Sequence, residues 1–156
     1  MASRKLYSLS PQCRIRSHNA MTLTKDQLAI AANLLVEKSK RNLEQAIKNA
    51  SLDYWDLVAN RLYYSLFHAV TAMMTLDGIK AGSHKGTSAQ FGRFYVLTGQ
   101  FSRQDGMLYS RLQTMREKAD YQNVFTLSEE EGTKLIESVT ELQTRICMTI
   151  AEKAKS

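Results

Sequence analysis

The chain has 156 residues and a formal charge of +6, the size of one ordinary domain with mass enough for a core. With 44% hydrophobic residues it is not a disordered chain, and one proline and seven glycines are too few for a turn-rich sandwich. Composition favours helices, and no apolar run approaches the roughly 20 residues needed to span a bilayer.

The charge is unevenly placed. The first 20 residues hold Arg4, Lys5, Arg14 and Arg16 and no acid, so the remainder sets 17 of the 21 basic residues against all 15 acidic ones. Residues 1–20 read as a flexible basic tail, either touching phosphates or simply solvated, and residues 21–156 as one domain. Met21 directly precedes the first helix signal and also fits a start codon. The N-terminus has no apolar core of the secretory type. Cys13 and Cys147, far apart in the chain, read as free thiols in a reducing cytoplasm.

Thr24-Lys25-Asp26-Gln27 has the pattern of a capping box and opens a first predicted helix over 24–49. Leu28, Ala31, Leu35, Leu43, Ala46 and Ile47 follow on its apolar face. Asp53 is expected to cap a second helix, 53–77, with Gly78 as its C-terminal stop. Trp55, Val58, Leu62, Leu66, Ala69, Met73 and Leu76 alternate three and four residues apart along it. A loop then leads into a shorter helix, 84–97, and Gly99 separates that from a fourth, 103–121, with Leu108, Leu112, Met115 and Ala119 inward. Ser128-Glu129-Glu130-Glu131 is a second capping-box pattern, opening 128–154 with Leu135, Val139, Leu142, Ile146 and Ile150. No strand alternation and no internal repeat interrupts this series. The expected fold is all-α, an up-and-down bundle of five helices.

Several chemistries lack their residues. Zinc needs three or four closely spaced ligands, whereas His18, His68 and His84 are dispersed. No carboxylate–histidine pair stands at di-iron spacing, and no glycine loop is built to cradle phosphate. Cys147 has no histidine nearby in sequence to activate it. No metal or cofactor is expected.

Two polar clusters interrupt the apolar pattern. Arg61 and His68 lie two helical turns apart on one face, with Tyr64 and Ser65 between them. That stripe either lines a groove or partner surface, or else Arg61 snorkels to solvent and His68 finds a local hydrogen bond. Arg116 and Asp120 form an i,i+4 pair in the weaker order, base before acid, with the acid near a helix C-terminus where the dipole disfavours it. Asp120 can therefore pair with Arg116 or turn to orient Arg61 across the bundle.

The segments "RLYYSLFHAVTAMM", "GIKAGSHKGTSAQFGRFYVLTG" and "RLQTMREKADYQ", in that order, resemble the HEPN domain (higher eukaryote and prokaryote nucleotide-binding) of the small stand-alone prokaryotic type. The resemblance covers roughly residues 24–152. It implies a helical bundle that pairs as a homodimer and interacts with a nucleotide or RNA. It also implies a metal-independent ribonuclease, the toxin-like partner of a minimal nucleotidyltransferase antitoxin. The family's active motif is an arginine followed a few residues later by a histidine, near the end of the fourth helix. Arg116 matches the arginine, able to grip a phosphate in two-point fashion. The histidine does not follow: the chain continues Asp120-Tyr121-Gln122-Asn123, and a tyrosine, with a pKa of about 10, is a poor base at neutral pH.

On this resemblance the catalytic candidates are Arg116, Asp120 and Tyr121, with His68 in addition. Arg61, Tyr64, His84 and Arg116 are the nucleotide- or RNA-binding candidates. Tyr121 is also the nearest candidate for AMP transfer by the antitoxin. The competing reading is a non-catalytic dimeric interaction protein whose polar cluster is structural, which the near balance of charge over 21–156 favours. In either case the polar stripe of the second helix needs cover, which suggests a symmetric homodimer.

Overall fold

The Thr24 capping box forms as its spacing predicts. Thr24 Oγ1 accepts from the Gln27 amide at 3.2 Å, and Gln27 Oε1 accepts from the Thr24 amide at 2.9 Å. From this cap α1 runs Lys25–Ser51. The structure, a computed structural model, describes residues 22–121 and 125–156; the expectations for residues 1–20, for Cys13 and for a start at Met21 lie outside them.

The junction after α1 corrects the reading of Asp53. Asp53 does not cap α2 but ends α1, in the left-handed region at φ 61°. Its amide reaches Ala50 O at 3.1 Å, and the Tyr54 amide reaches Asn49 O at 3.0 Å, the two bonds of a Schellman motif. Aspartate tolerates this conformation better than most residues, but glycine is its usual occupant. The second helix, α2 (Trp55–Leu76), consequently starts from Tyr54 without a side-chain cap. It ends in the same motif with the expected glycine: Gly78 at φ 70° and Ile79 donating to Met74 O at 2.9 Å.

The third helix, α3 (His84–Phe91), is capped by Ser83, whose hydroxyl accepts from the Gly86 amide. Where a single helix over 84–97 is expected, α3 widens at Gly92 into a π-helical turn, Gly92–Val96. Next come α4 (Arg103–Tyr121) and α5 (Glu129–Ala154). Ser128 caps α5 by accepting from the Glu131 amide at 3.2 Å. The return bond of that second box is not made; Glu131 lies 3.6 Å from Arg111 of α4 instead.

The described residues thus form five α-helices, with α2 packed against each of the other four. Val58, Ala59, Leu62, Tyr63, Leu66, Ala69, Met73 and Met74 are all buried, as expected of a helix that is apolar around most of its circumference. Small residues let α1 approach it: Ser39 Oγ donates to Ser65 O at 2.7 Å and Ser65 Oγ to Ser39 O at 3.0 Å, with Gln143 of α5 donating to Ser39 Oγ. Ile47, expected inward, is half exposed, and Ala32 and Ser39 fill the seam. On α4 the buried face is Asp105, Tyr109, Leu112 and Gln113; of the expected stripe only Leu112 is fully buried, while Leu108 and Met115 are partly buried. Asp105 receives both arms of Arg145 from α5, at 2.8 and 2.6 Å, and fastens the start of α4.

Candidate functional site

The site grows from two successive turns of α2. On α2, Tyr63 and Tyr64 are followed one turn later by Phe67 and His68, so four rings share one flank of the helix. Tyr63 is fully buried and stacks on Phe67, centroids 6.0 Å apart, and on Tyr109 of α4 at 6.1 Å. The turn after α2 brings His84, first residue of α3, onto this flank. Its ring lies 4.6 Å from Phe67, 5.8 Å from Tyr63 and 6.0 Å from Tyr64. Its Nδ1 is 2.7 Å from the Tyr63 hydroxyl.

Arg116 enters from α4. Its guanidinium carbon is 5.2 Å from the Tyr63 ring centroid and 5.4 Å from that of Tyr64, within cation–π range of both. Its side chain is largely buried, and Nε has no hydrogen-bond partner among the described residues. Asp120 is 3.9 Å from that Nε, an ion pair too long to be a hydrogen bond. A second guanidinium, Arg61, lies 5.5 Å from the Tyr64 centroid. It does not snorkel free. Asn60 Oδ1 accepts from Arg61 Nε at 3.0 Å and from Nη2 at 2.6 Å, while Nη1 donates to Asn42 at 3.1 Å and to Gln45 at 3.3 Å. These amide oxygens fix Arg61 without neutralising it.

The electrostatics follow from this crowding. Burial pushes the Tyr63 hydroxyl up to about 12, with Arg116 pulling the other way, so it stays protonated at neutral pH. Burial, then Arg116, lowers His84 below the ordinary imidazole range. Burial also lowers His68, helped by Lys38, Arg61 and His84. Both histidines are therefore neutral near pH 7, and the fixed charges beside them are cationic. An anion is the ligand such a patch attracts.

The structure brings together Arg116, Tyr64 and His84, with Arg61 and His68 at the margin. His68 has a ring centroid 6.0 Å from Tyr64, but its buried Nδ1 finds no partner among the described residues, so the local bond expected of it is not made. Asp120 and Arg61 share a cleft of about 720 Å³ between the start of α2 and the end of α4, lined also by Trp55, Asn60 and Phe125. Tyr121 stands 86% exposed at the end of α4, outside the ring cluster. Sequence reasoning missed Tyr63, Phe67 and Tyr109. The signal for Tyr63 was its place one residue beyond Leu62 and four before Phe67, but apolar residues around all of α2 obscured it. Among the described residues, no group of three His, Cys, Asp or Glu side chains is placed to hold a metal ion. Nor is any described helix long and apolar enough to cross a membrane.

Comparison with known proteins adds relatives to this geometry. The family model for the HEPN domain matches residues 32–148. A protein named UPF0332 protein, from Thermotoga maritima, is 29% identical over 100 residues, 62% of this chain and 76% of its own. Two proteins from Methanocaldococcus jannaschii carry the name "Putative toxin". One is 24% identical over 102 residues, 65% of this chain and 69% of its own length. The other is 32% identical over 88 residues, 56% of this chain and 65% of its own length.

Proposed function

The chain belongs to the HEPN domain family, and from that membership we propose that it is a toxin-like module acting on RNA, with Arg116 as the group that grips a phosphate. The names of the Methanocaldococcus relatives support the toxin-like part of this reading. The observation that carries the rest is the state of Arg116: a cation laid across two tyrosine rings with its nearest carboxylate at 3.9 Å. A guanidinium held by stacking keeps its forked donors for a planar or tetrahedral anion. Tyr64 offers a π-face to a base beside that phosphate. The cleft holding Arg61 and Asp120 is of nucleotide size and extends the site toward the start of α2.

The activity proposed is metal-independent cleavage of RNA by attack of its own 2′-hydroxyl, in a symmetric homodimer regulated by a minimal nucleotidyltransferase, with Tyr121 accessible for AMP transfer. The experiment is incubation of the protein with pooled single-stranded RNA and transfer RNA in excess EDTA. Cleavage ending in 2′,3′-cyclic phosphate, lost in Arg116→Ala, is expected. No cleavage in wild type, together with collapse of the fold in Arg116→Ala, would instead identify the cluster as the structural network of an interaction protein.

A further inference from the structure

We propose that His84, held in place by Tyr63, is the general base of this site, in the position of function left vacant by the missing motif histidine. The inference rests on the RNA reading above and adds to it the residue that moves the proton.

Three features of the geometry select His84. First, it shares its neighbours with the phosphate-gripping group: the Tyr63 and Tyr64 rings that carry Arg116 at 5.2 and 5.4 Å also lie 5.8 and 6.0 Å from the His84 ring. The two groups converge on one spot from α3 and α4, although they are far apart in sequence. Second, the imidazole is oriented. The Tyr63 hydroxyl, 2.7 Å from Nδ1, can accept an Nδ1–H and so leave the Nε2 lone pair for substrate. Phe67 at 4.6 Å backs the ring. Third, the alternative is less well made: His68 has a buried Nδ1 with no partner to fix its tautomer.

The groups facing His84 are Tyr63, Tyr64 and His68 from α2 and Arg116 from α4; the next residue on α4, Glu117, is taken by Gln113 at 3.3 Å. With a cation and no carboxylate in that set, the imidazole is free base at neutral pH, the form a base must have. In the step, His84 Nε2 takes the proton of the RNA 2′-hydroxyl. The 2′-oxygen bonds to the adjacent phosphorus, held by Arg116, as the bond from phosphorus to the 5′-oxygen breaks. The leaving oxygen takes a proton from water, and the imidazolium returns its proton to the hydroxide so formed. A 2′,3′-cyclic phosphate and a 5′-hydroxyl result.

The test compares wild type, His84→Gln, His84→Ala with and without added imidazole, Tyr63→Phe and Arg116→Ala on labelled single-stranded RNA in EDTA, each variant checked for helicity and RNA affinity. Loss of a general base lowers kcat by about 100-fold or more, so His84→Gln is expected to lose at least that while its RNA affinity stays near wild type. Imidazole should restore part of the rate of His84→Ala. Tyr63→Phe, a positioning variant, should lower kcat with little change in KM. It should also move the acid limb of the pH profile downward, since an acceptor on Nδ1–H stabilises the imidazolium. His84→Gln cleaving at the wild-type rate while Arg116→Ala is inactive would overturn the role of His84 and leave the RNA reading standing. Wild type that binds RNA without cutting it would also overturn it, and wild type that does not bind RNA would overturn both.

Discussion

Asp105 offers the sharpest test of how this bundle is held. It sits buried at the start of α4, where its carboxylate accepts from Arg145 at 2.8 and 2.6 Å and from the Ser102 amide at 2.9 Å, while the Ser102 hydroxyl accepts from the Asp105 amide at 3.1 Å. Asp105→Ala removes all three acceptor contacts. A hydrogen bond to a charged group contributes about 1.5–3 kcal/mol, and a lost cap costs about 1 kcal/mol. Arg145 is half exposed, so its freed guanidinium returns to water and its two bonds count near the lower limit as a pair. The expected loss is about 3 kcal/mol for Asp105→Ala, and roughly half that for Asp105→Asn, which keeps an acceptor for Ser102. Urea unfolding followed by circular dichroism measures both. If Asp105→Ala falls within about 0.5 kcal/mol of wild type, the pair is no better than its solvated parts and this account of the α4–α5 junction is wrong.

Arg145 holds the Asp105 carboxyl below its ordinary value, so the group binds its proton more weakly folded than unfolded. Its contribution is present above the unfolded value of about 3.9 and lost as pH falls through the folded one; the advantage of wild type over Asp105→Asn should shrink below about pH 4 in acid titrations of stability. Gly132→Ala places a Cβ 2.4 Å from Trp55 Cε3 and Cζ3, and an overpacking cost of about 1–3 kcal/mol exceeds the helix-propensity gain of about 1. Because Trp55 is the single tryptophan, its fluorescence should shift along with a lower urea midpoint, and unchanged emission would show the contact to be slack. Asp53→Gly relieves a left-handed aspartate and should raise stability by up to about 1 kcal/mol; a lower urea midpoint would mean the Asp53 side chain contributes more than its backbone costs.

Much of the fold was legible because its signals are local. The Thr24 box, the Gly78 stop and the heptad-like stripe of α5 each need only a few neighbouring residues to be recognised. Asp53 was misread because aspartate before an apolar run is a favoured N-cap pattern, and nothing in sequence reveals a positive φ. The inner face of α4 was hidden because Asp105, paired with Arg145 of α5, and Gln113, bonded to Glu117 one turn on, break the apolar period. The π-helical turn after Phe91 has no period of its own to find. At the site, Arg116, Tyr64 and His84 stood out as polar or aromatic residues in quoted segments. Their convergence did not, since α3 reaches α2 and α4 only through tertiary packing. Tyr63, which supports both Arg116 and His84, and Phe67, which backs His84, fall outside the three-and-four stripe of α2 and carried no signal of their own.

The most direct measurement of the central claim is the affinity of wild type, Arg116→Lys and Arg116→Ala for one single-stranded RNA, by fluorescence anisotropy at low salt in EDTA, with helicity of each confirmed. A forked, charge-assisted contact is worth about 1.5–3 kcal/mol, a weakening of about 10- to 150-fold when it is removed. Lysine should recover little of it, because an ammonium cannot reproduce the fork across Tyr63 and Tyr64. If Arg116 grips the phosphate, both variants lose affinity by that factor while remaining folded. Equal RNA affinity in all three folded proteins would contradict it.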